Sequence, residues 1–310
     1  HNSESSSSVI DGFQIKDGSL SSYDGVGAGV YCAGASPTIR NCKFYSNFSR
    51  DLPGGGALAI SGSGSPTISN CKFEGNRTDF QGGAIGCWDT SSPTITNCEF
   101  KLNSVIYDGG AMHISEDSTP TIYKCKFYDN SSSFDGGALY IKDDADVELI
   151  SCKLYRNSAE FGGAICGNDG EVLIHNCLFY DNEATSYQGG AIGFDDSTIT
   201  VKNCTIADNS ASSAYGDGVY CNKGTLTMKY SILWDNGSEI YTNGICTVSV
   251  TYSDVEGGYS GTGNMNSDPK FTTGSSHDYE LSHTFGNISP CIGAGNIAAS
   301  TVNVYSLIYM

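Results

Sequence analysis

The sequence predicts an all-β chain wound as a parallel β-helix, a solenoid of about ten coils with three short strands in each. Three observations lead there. Cys42, Cys71, Cys98, Cys125, Cys152, Cys177 and Cys204 recur about every 27 residues. Each is followed at the same distance by Asn47, Asn76, Asn103, Asn130, Asn157, Asn182 or Asn209. A second landmark, Gly-Gly-Ala plus an apolar residue, ends at Leu58, Ile85, Met112, Leu139, Ile165 and Ile192, with looser copies ending at Val30 and Val219. Between the landmarks, apolar side chains alternate with polar or small ones over short runs, and no helical period of comparable length appears.

One period shows the elements in order. Ala84-Ile85-Gly86-Cys87 is the first strand, Pro93-Thr94-Ile95 the second and Cys98-Glu99-Phe100 the third. Three strands in about 27 residues are too close to pair as hairpins, so landmarks recurring once per turn require parallel, in-register stacking. At ~4.8 Å per rung the rod is roughly 45–50 Å long. Coils are readable from Val9-Ile10 to about Val255. Residues 1–255 form the body, with a Ser-rich, poorly capped start, and 256–310 an irregular cap and terminal strand of the same domain. Asn41, Asn70, Asn97, Asn176 and Asn203 fall where the chain bends from second to third strand, and Asn tolerates the left-handed conformation such a bend needs. The later Asn series is placed for amides stacked up and down the rod, and Asn236 continues it where Ser231 replaces the Cys. Phe80, Tyr107, Phe134, Phe161, Tyr187 and Tyr215 come shortly before the glycine landmark, a stack covering that corner.

Gly-Gly-Ala-Ile at Gly82 to Ile85, paired with Phe-x-x-Asn at Phe73 to Asn76, resembles the repeat of chlamydial polymorphic outer-membrane proteins. More broadly it resembles right-handed parallel β-helix proteins of bacterial surfaces. Asn266-Ser267-Asp268-Pro269-Lys270-Phe271 and Ser289-Pro290-Cys291-Ile292-Gly293-Ala294-Gly295 are similar to the closing segment of secreted bacterial β-helix proteins. The resemblance implies right-handed winding of the pectin-lyase-like kind. It leaves the function open among adhesins, structural surface proteins and polysaccharide-degrading enzymes.

The charge balance narrows the partners. With 34 acidic against 16 basic residues and a net charge of −18, the chain lacks the clustered Lys and Arg that nucleic acid requires. The same charge disfavours an anionic membrane surface and permits cation binding. At 39% hydrophobic the chain fills a core, which excludes wholesale disorder. No apolar run approaches the roughly 18 residues of a membrane helix. The start, His1-Asn2-Ser3-Glu4 and four serines, lacks an initiator Met, a basic region and an apolar run, and reads as a mature or excised segment. Little Lys and Arg amid much Ser, Thr, Asn, Gly and Tyr points to a secreted or cell-surface protein.

The periodic cysteines alternate with exposed Lys43, Lys72, Glu99, Lys126 and Lys153, so they point inward as a ladder of buried thiols. Parallel stacking rarely offers the dihedral a disulfide needs. Cys221 and Cys246, off the ladder on neighbouring coils, are the candidate bridge. No CxxC or Cys/His cluster marks a zinc site.

Two surface features carry candidate chemistry. Asp89, Glu116, Asp143, Asp169 and Asp196 fall at one position after the first strand on five successive coils. Such a row is either a solvated acidic edge or a site for Ca²⁺, which accepts several carboxylates in loose geometry. Beside it, Trp88, His113 and Tyr140 at outward positions suggest an exposed aromatic strip for glycans. The favoured function is a non-catalytic extracellular surface protein, adhesin-like or fibre-forming. The alternative is a polysaccharide lyase or glycoside hydrolase working in the first-strand groove, yet none of Arg40, Arg50, Arg77 and Arg156 sits on the acidic edge. The final segment alternates like a strand. Val302, Val304, Leu307 and Ile308 either dock on their own rod or join the next subunit head to tail.

Overall fold

A computed structural model describes residues 5, 7–20, 27–50, 54–212, 215–272, 279–284 and 286–294. Every pairing between its named strands is parallel and in register from coil to coil, with Phe44 beside Phe73, Phe73 beside Phe100 and Phe100 beside Phe127. First and second strands share a 17-stranded sheet, and third strands make a 10-stranded one. An 8-stranded sheet was not expected: two-residue strands such as Ser104–Val105 follow each buried Asn from Asn47 to Asn209, so a full coil has four strands. In two coils the first and second strands fuse into the continuous strands Leu139–Ile150 and Ile165–His175. Full turns number about eight rather than ten, because the coils at either end lack one of the strands.

Residue chemistry explains the corners. The bend before the third strand has positive φ at Asn41, Asn70, Asn97, Asn176 and Asn203, as the Asn pattern predicts. At the glycine landmark the backbones of successive coils nearly touch. A Cβ on Gly110 would lie 2.0 Å from the carbonyl oxygen of Gly137, which no other residue can accommodate.

Inside, Phe44, Phe73, Phe100 and Phe127 are fully buried and stack with centroids 4.7, 4.8 and 4.5 Å apart. Each contributes roughly 1.5–3 kcal/mol by burial. Two polar ladders flank them. Asn103 donates its backbone N–H and its Nδ2 to Asn130 Oδ1, both at 3.0 Å, and Nδ2 also reaches the Phe73 carbonyl at 2.9 Å. The same pattern runs from Asn47 to Asn236 and ends on Glu239, which receives Asn236 N–H at 3.1 Å and Nδ2 at 2.5 Å. Asn47, Asn76, Asn130 and Asn236, each of which begins an Asn-x-Ser/Thr triplet, are therefore buried.

The cysteine ladder also bonds. Cys71 N–H donates to Cys98 Sγ at 3.4 Å, while the Cys71 thiol donates to the Ser69 carbonyl at 3.3 Å. Ser231 and Ser253 continue the series with hydroxyls, and Asn264 Oδ1 ends it at 3.1 Å from Ser253 N. The buried thiols are hydrogen-bonding groups as well as small hydrophobes, which is why Ser substitutes for Cys here.

After Val255 the chain pairs with the last coil through Met265 and Asn264. It then reaches back along the rod, where the Tyr279 ring stands 5.2 Å from Tyr180 and its hydroxyl donates to Asp208. Val302, Val304, Leu307 and Ile308 lie outside the described residues.

Candidate functional site

The outer face of the first strands carries two columns of side chains. In the first, Ala59, Gly86, His113, Tyr140, Cys166, Gly193, Tyr220 and Tyr241 succeed one another in register. Two residues further along each strand, the second column includes Lys142, Asn168 and Asp195. The segment ahead of each glycine landmark folds back over the first column and covers it.

Small residues interrupt this column twice, at Ala59 and Gly86 and at Cys166 and Gly193, and the second interruption opens a recess. Between Tyr140 and Tyr220 the first column holds only Cys166 and Gly193. The Phe161 ring lies against Gly193 so closely that a Cβ there would come within 2.7 Å of Cζ. Phe161 meets Tyr220 edge-on with centroids 5.6 Å apart. Two small residues between two tyrosines open a notch of about 340 Å³, lined by Asp135, Phe161, Cys166, Asn168, Tyr187, Gln188, Asp195, Tyr220 and Asn222 among others.

The lining pairs aromatic rings with amides and carboxylates. Asp135 and Asp195 are half-buried, and among the described residues neither side chain has a hydrogen bond or an ion pair. Burial raises the Asp135 carboxyl to about 6, and the Asp108 and Glu160 carboxylates push the same way. Asp108, one rung away, is also raised, chiefly by burial. Burial lifts the Cys166 thiol well above its ordinary range, so it stays protonated and forms an inert part of the wall. No Lys, Arg or His is among the lining residues. The nearby ammonium groups are engaged outside, Lys142 with Asp143 at 3.0 Å and Lys223 with Asp196.

The expected aromatic strip is corrected by this geometry. Trp88, His113 and Tyr140 are only 8%, 3% and 6% exposed. Trp88 also belongs to the second column, where its ring stacks on Tyr31 at 6.5 Å. His113 Nε2 is buried with no hydrogen-bond partner among the described residues. Burial and Lys142 depress its pKa to about 3. The rings that do reach solvent include Tyr107 and Phe134, but they stack face to face in one column, Tyr107 on Phe80 at 5.7 Å and Phe134 on Tyr107 at 5.5 Å.

The carboxylate row is real and exposed, one per coil at Asp89, Glu116, Asp143, Asp169 and Asp196. All five have φ between 50° and 61°, so the position selects short polar residues for a left-handed turn. Among the described residues no three His, Cys, Asp or Glu side chains gather at a point that fits a metal ion. Cys221 and Cys246 are disulfide-bonded, with Cα atoms 6.2 Å apart.

The chain matches the family described as the right handed beta helix region over residues 28–185 and again over 132–272. It belongs to that family. No curated protein and no solved structure matches it.

Within this right-handed β-helix the arginines are placed away from the notch. Arg40 pairs with Asp11 at 2.8 Å, Arg50 and Arg77 with Asp79 at 3.4 and 3.2 Å, and Arg156 with Asp129 at 2.8 Å. Among the described residues no helix of the β-helix is long and apolar enough to cross a membrane.

Proposed function

We propose that this β-helix is an extracellular, non-catalytic surface protein of the adhesin type that holds a glycan in the notch between Tyr140 and Tyr220. The observation that carries the reading is the notch itself. Two small residues on the outer face of the first strands leave a recess where rings, amides and carboxylates converge. Sugars are recognised by that combination, since apolar ring faces stack on aromatic side chains while hydroxyls bond to amides and carboxylates. The likeness of the Gly-Gly-Ala-Ile and Phe-x-x-Asn landmarks to bacterial surface repeats supports a secreted or cell-surface location.

The enzymatic alternative is weaker on geometry. Asp135 and Asp195 stand on coils two rungs apart at different positions along the turn, so the axial rise alone, roughly 9.6 Å, already reaches the upper limit for a glycosidase pair. A lyase needs a basic group beside its substrate, and no basic residue is among those lining the notch. A glycan array read with the full chain, Tyr220→Ala and Asn168→Ala tests the proposal. Binding lost by at least tenfold in both variants, with unchanged circular dichroism, is the expected outcome. A silent array together with release of reducing or unsaturated sugars from polysaccharides would replace it with the enzymatic reading.

A further inference from the structure

The chemistry of the notch says which sugars it suits. Its walls carry two carboxylates and no cation, so a uronate or sialic acid would meet like charge. Amide and aromatic groups alone would serve a neutral sugar, and they leave Asp135 and Asp195 unexplained. Both are half-buried, and among the described residues both lack a hydrogen-bonding or ionic partner. Lys142 and Lys223 are ion-paired with Asp143 and Asp196 on the adjoining turn, and Asp195 feels Lys223 only as a secondary charge. What the walls lack is positive charge supplied from outside.

We propose that the ligand is an oligomer of an amino sugar lying along the rod axis, with protonated amines at Asp135 and Asp195 and sugar rings against Phe161 and Tyr220. This deepens the glycan reading above and rests on it. The spacing argues for an oligomer. The two carboxylates belong to coils two rungs apart, an axial rise of roughly 9.6 Å by itself, which is too far for one ammonium to contact both. An oligosaccharide parallel to the axis brings amines past both. Burial that raises Asp135 to about 6 is relieved by an ammonium beside it, so binding favours its ionised form.

Calorimetric titration of the full chain at pH 6.5 tests this with four probes: β-1,4-linked tetramers of glucosamine, N-acetylglucosamine and glucose, and spermidine. The glucosamine tetramer is expected to bind at least tenfold more tightly than either uncharged tetramer and than the glucosamine monomer. Added salt weakens that preference, and Asp195→Asn or Asp135→Asn removes it, so that the glucosamine and N-acetylglucosamine tetramers bind alike. Equal affinity for all three tetramers would overturn the amino-sugar proposal and leave the glycan reading standing. Spermidine binding as tightly as the glucosamine tetramer would overturn it in favour of simple cation binding. No binding of any tetramer would remove the glycan reading and this proposal together.

Discussion

A single Asn carries four contacts in this fold. Asn130 accepts two hydrogen bonds from Asn103 at 3.0 Å and donates its Nδ2 to the Phe100 carbonyl and to Asn157. Asn130→Ala leaves several buried groups unpaired at about 1–3 kcal/mol each, so urea unfolding should show a loss of about 3–5 kcal/mol. An ordinary surface substitution such as Thr119→Ala should cost under about 0.5 kcal/mol. His113 is the opposite kind of residue, buried with Nε2 unpartnered. Its folded pKa of about 3 lies below the ordinary 6.5, so its contribution is whole above pH 6.5 and is lost as pH falls towards 3. By pH 4.5 that loss reaches about 3 kcal/mol. His113→Phe removes the titrating group and should flatten this arm of the melting temperature against pH. An unchanged acid arm in the variant would mean that another group sets it.

Ladders need ends, and the elements at the C-terminal end supply them. The Asn ladder stops on Glu239, a buried carboxyl raised to about 7, first by burial and also by Glu256, while its bonds from Asn236 pull the other way. The folded pKa stands above the ordinary 4.5, so the contribution is complete below pH 4.5 and is lost as pH rises through 7. Glu239→Gln keeps one of the two acceptors that Asn236 uses and removes the charge, and should melt higher than the parent at pH 8, by about 1–3 kcal/mol, with no gain at pH 5. No gain at pH 8 would show the carboxylate to be well solvated. Much of this was legible in the sequence, because parallel stacking gives equivalent residues equivalent neighbours. Asn47 to Asn236 and Phe44 to Phe127 therefore announce their own contacts by spacing alone. The two-residue strands such as Ser104–Val105 are too short to show a period. The notch was hidden for another reason. Cys166 and Gly193 read as minor variation one residue past the glycine landmark. Their meaning depends on a covering segment, whose Phe161 ring seats on Gly193, and no local pattern records its path.

At the scale of the molecule each coil touches chiefly its two neighbours, so stability is a sum along one dimension and damage stays local. The Cys221–Cys246 disulfide tests that property, since it ties the last two coils together over a separation of 25 residues. Closing such a loop contributes about 3–4 kcal/mol. In a rod of nearest-neighbour contacts that contribution belongs to the C-terminal coils alone. The buried thiols of the cysteine ladder have no disulfide to lose, so a mild reductant acts at this one bridge among the described residues. Hydrogen exchange after reduction should therefore quicken at least tenfold across Val219–Cys221, Gly224–Lys229 and Cys246–Thr251. Amides in Ile85–Cys87, Met112–Ile114 and Lys126–Tyr128, several rungs away, should keep their protection. Cys246→Ala should reproduce the pattern without reductant. Uniform loss of protection along the rod would show instead that the Phe and Asn ladders couple all coils into one cooperative unit. The energetic reach of a single Asn or Glu substitution would then extend over the whole chain.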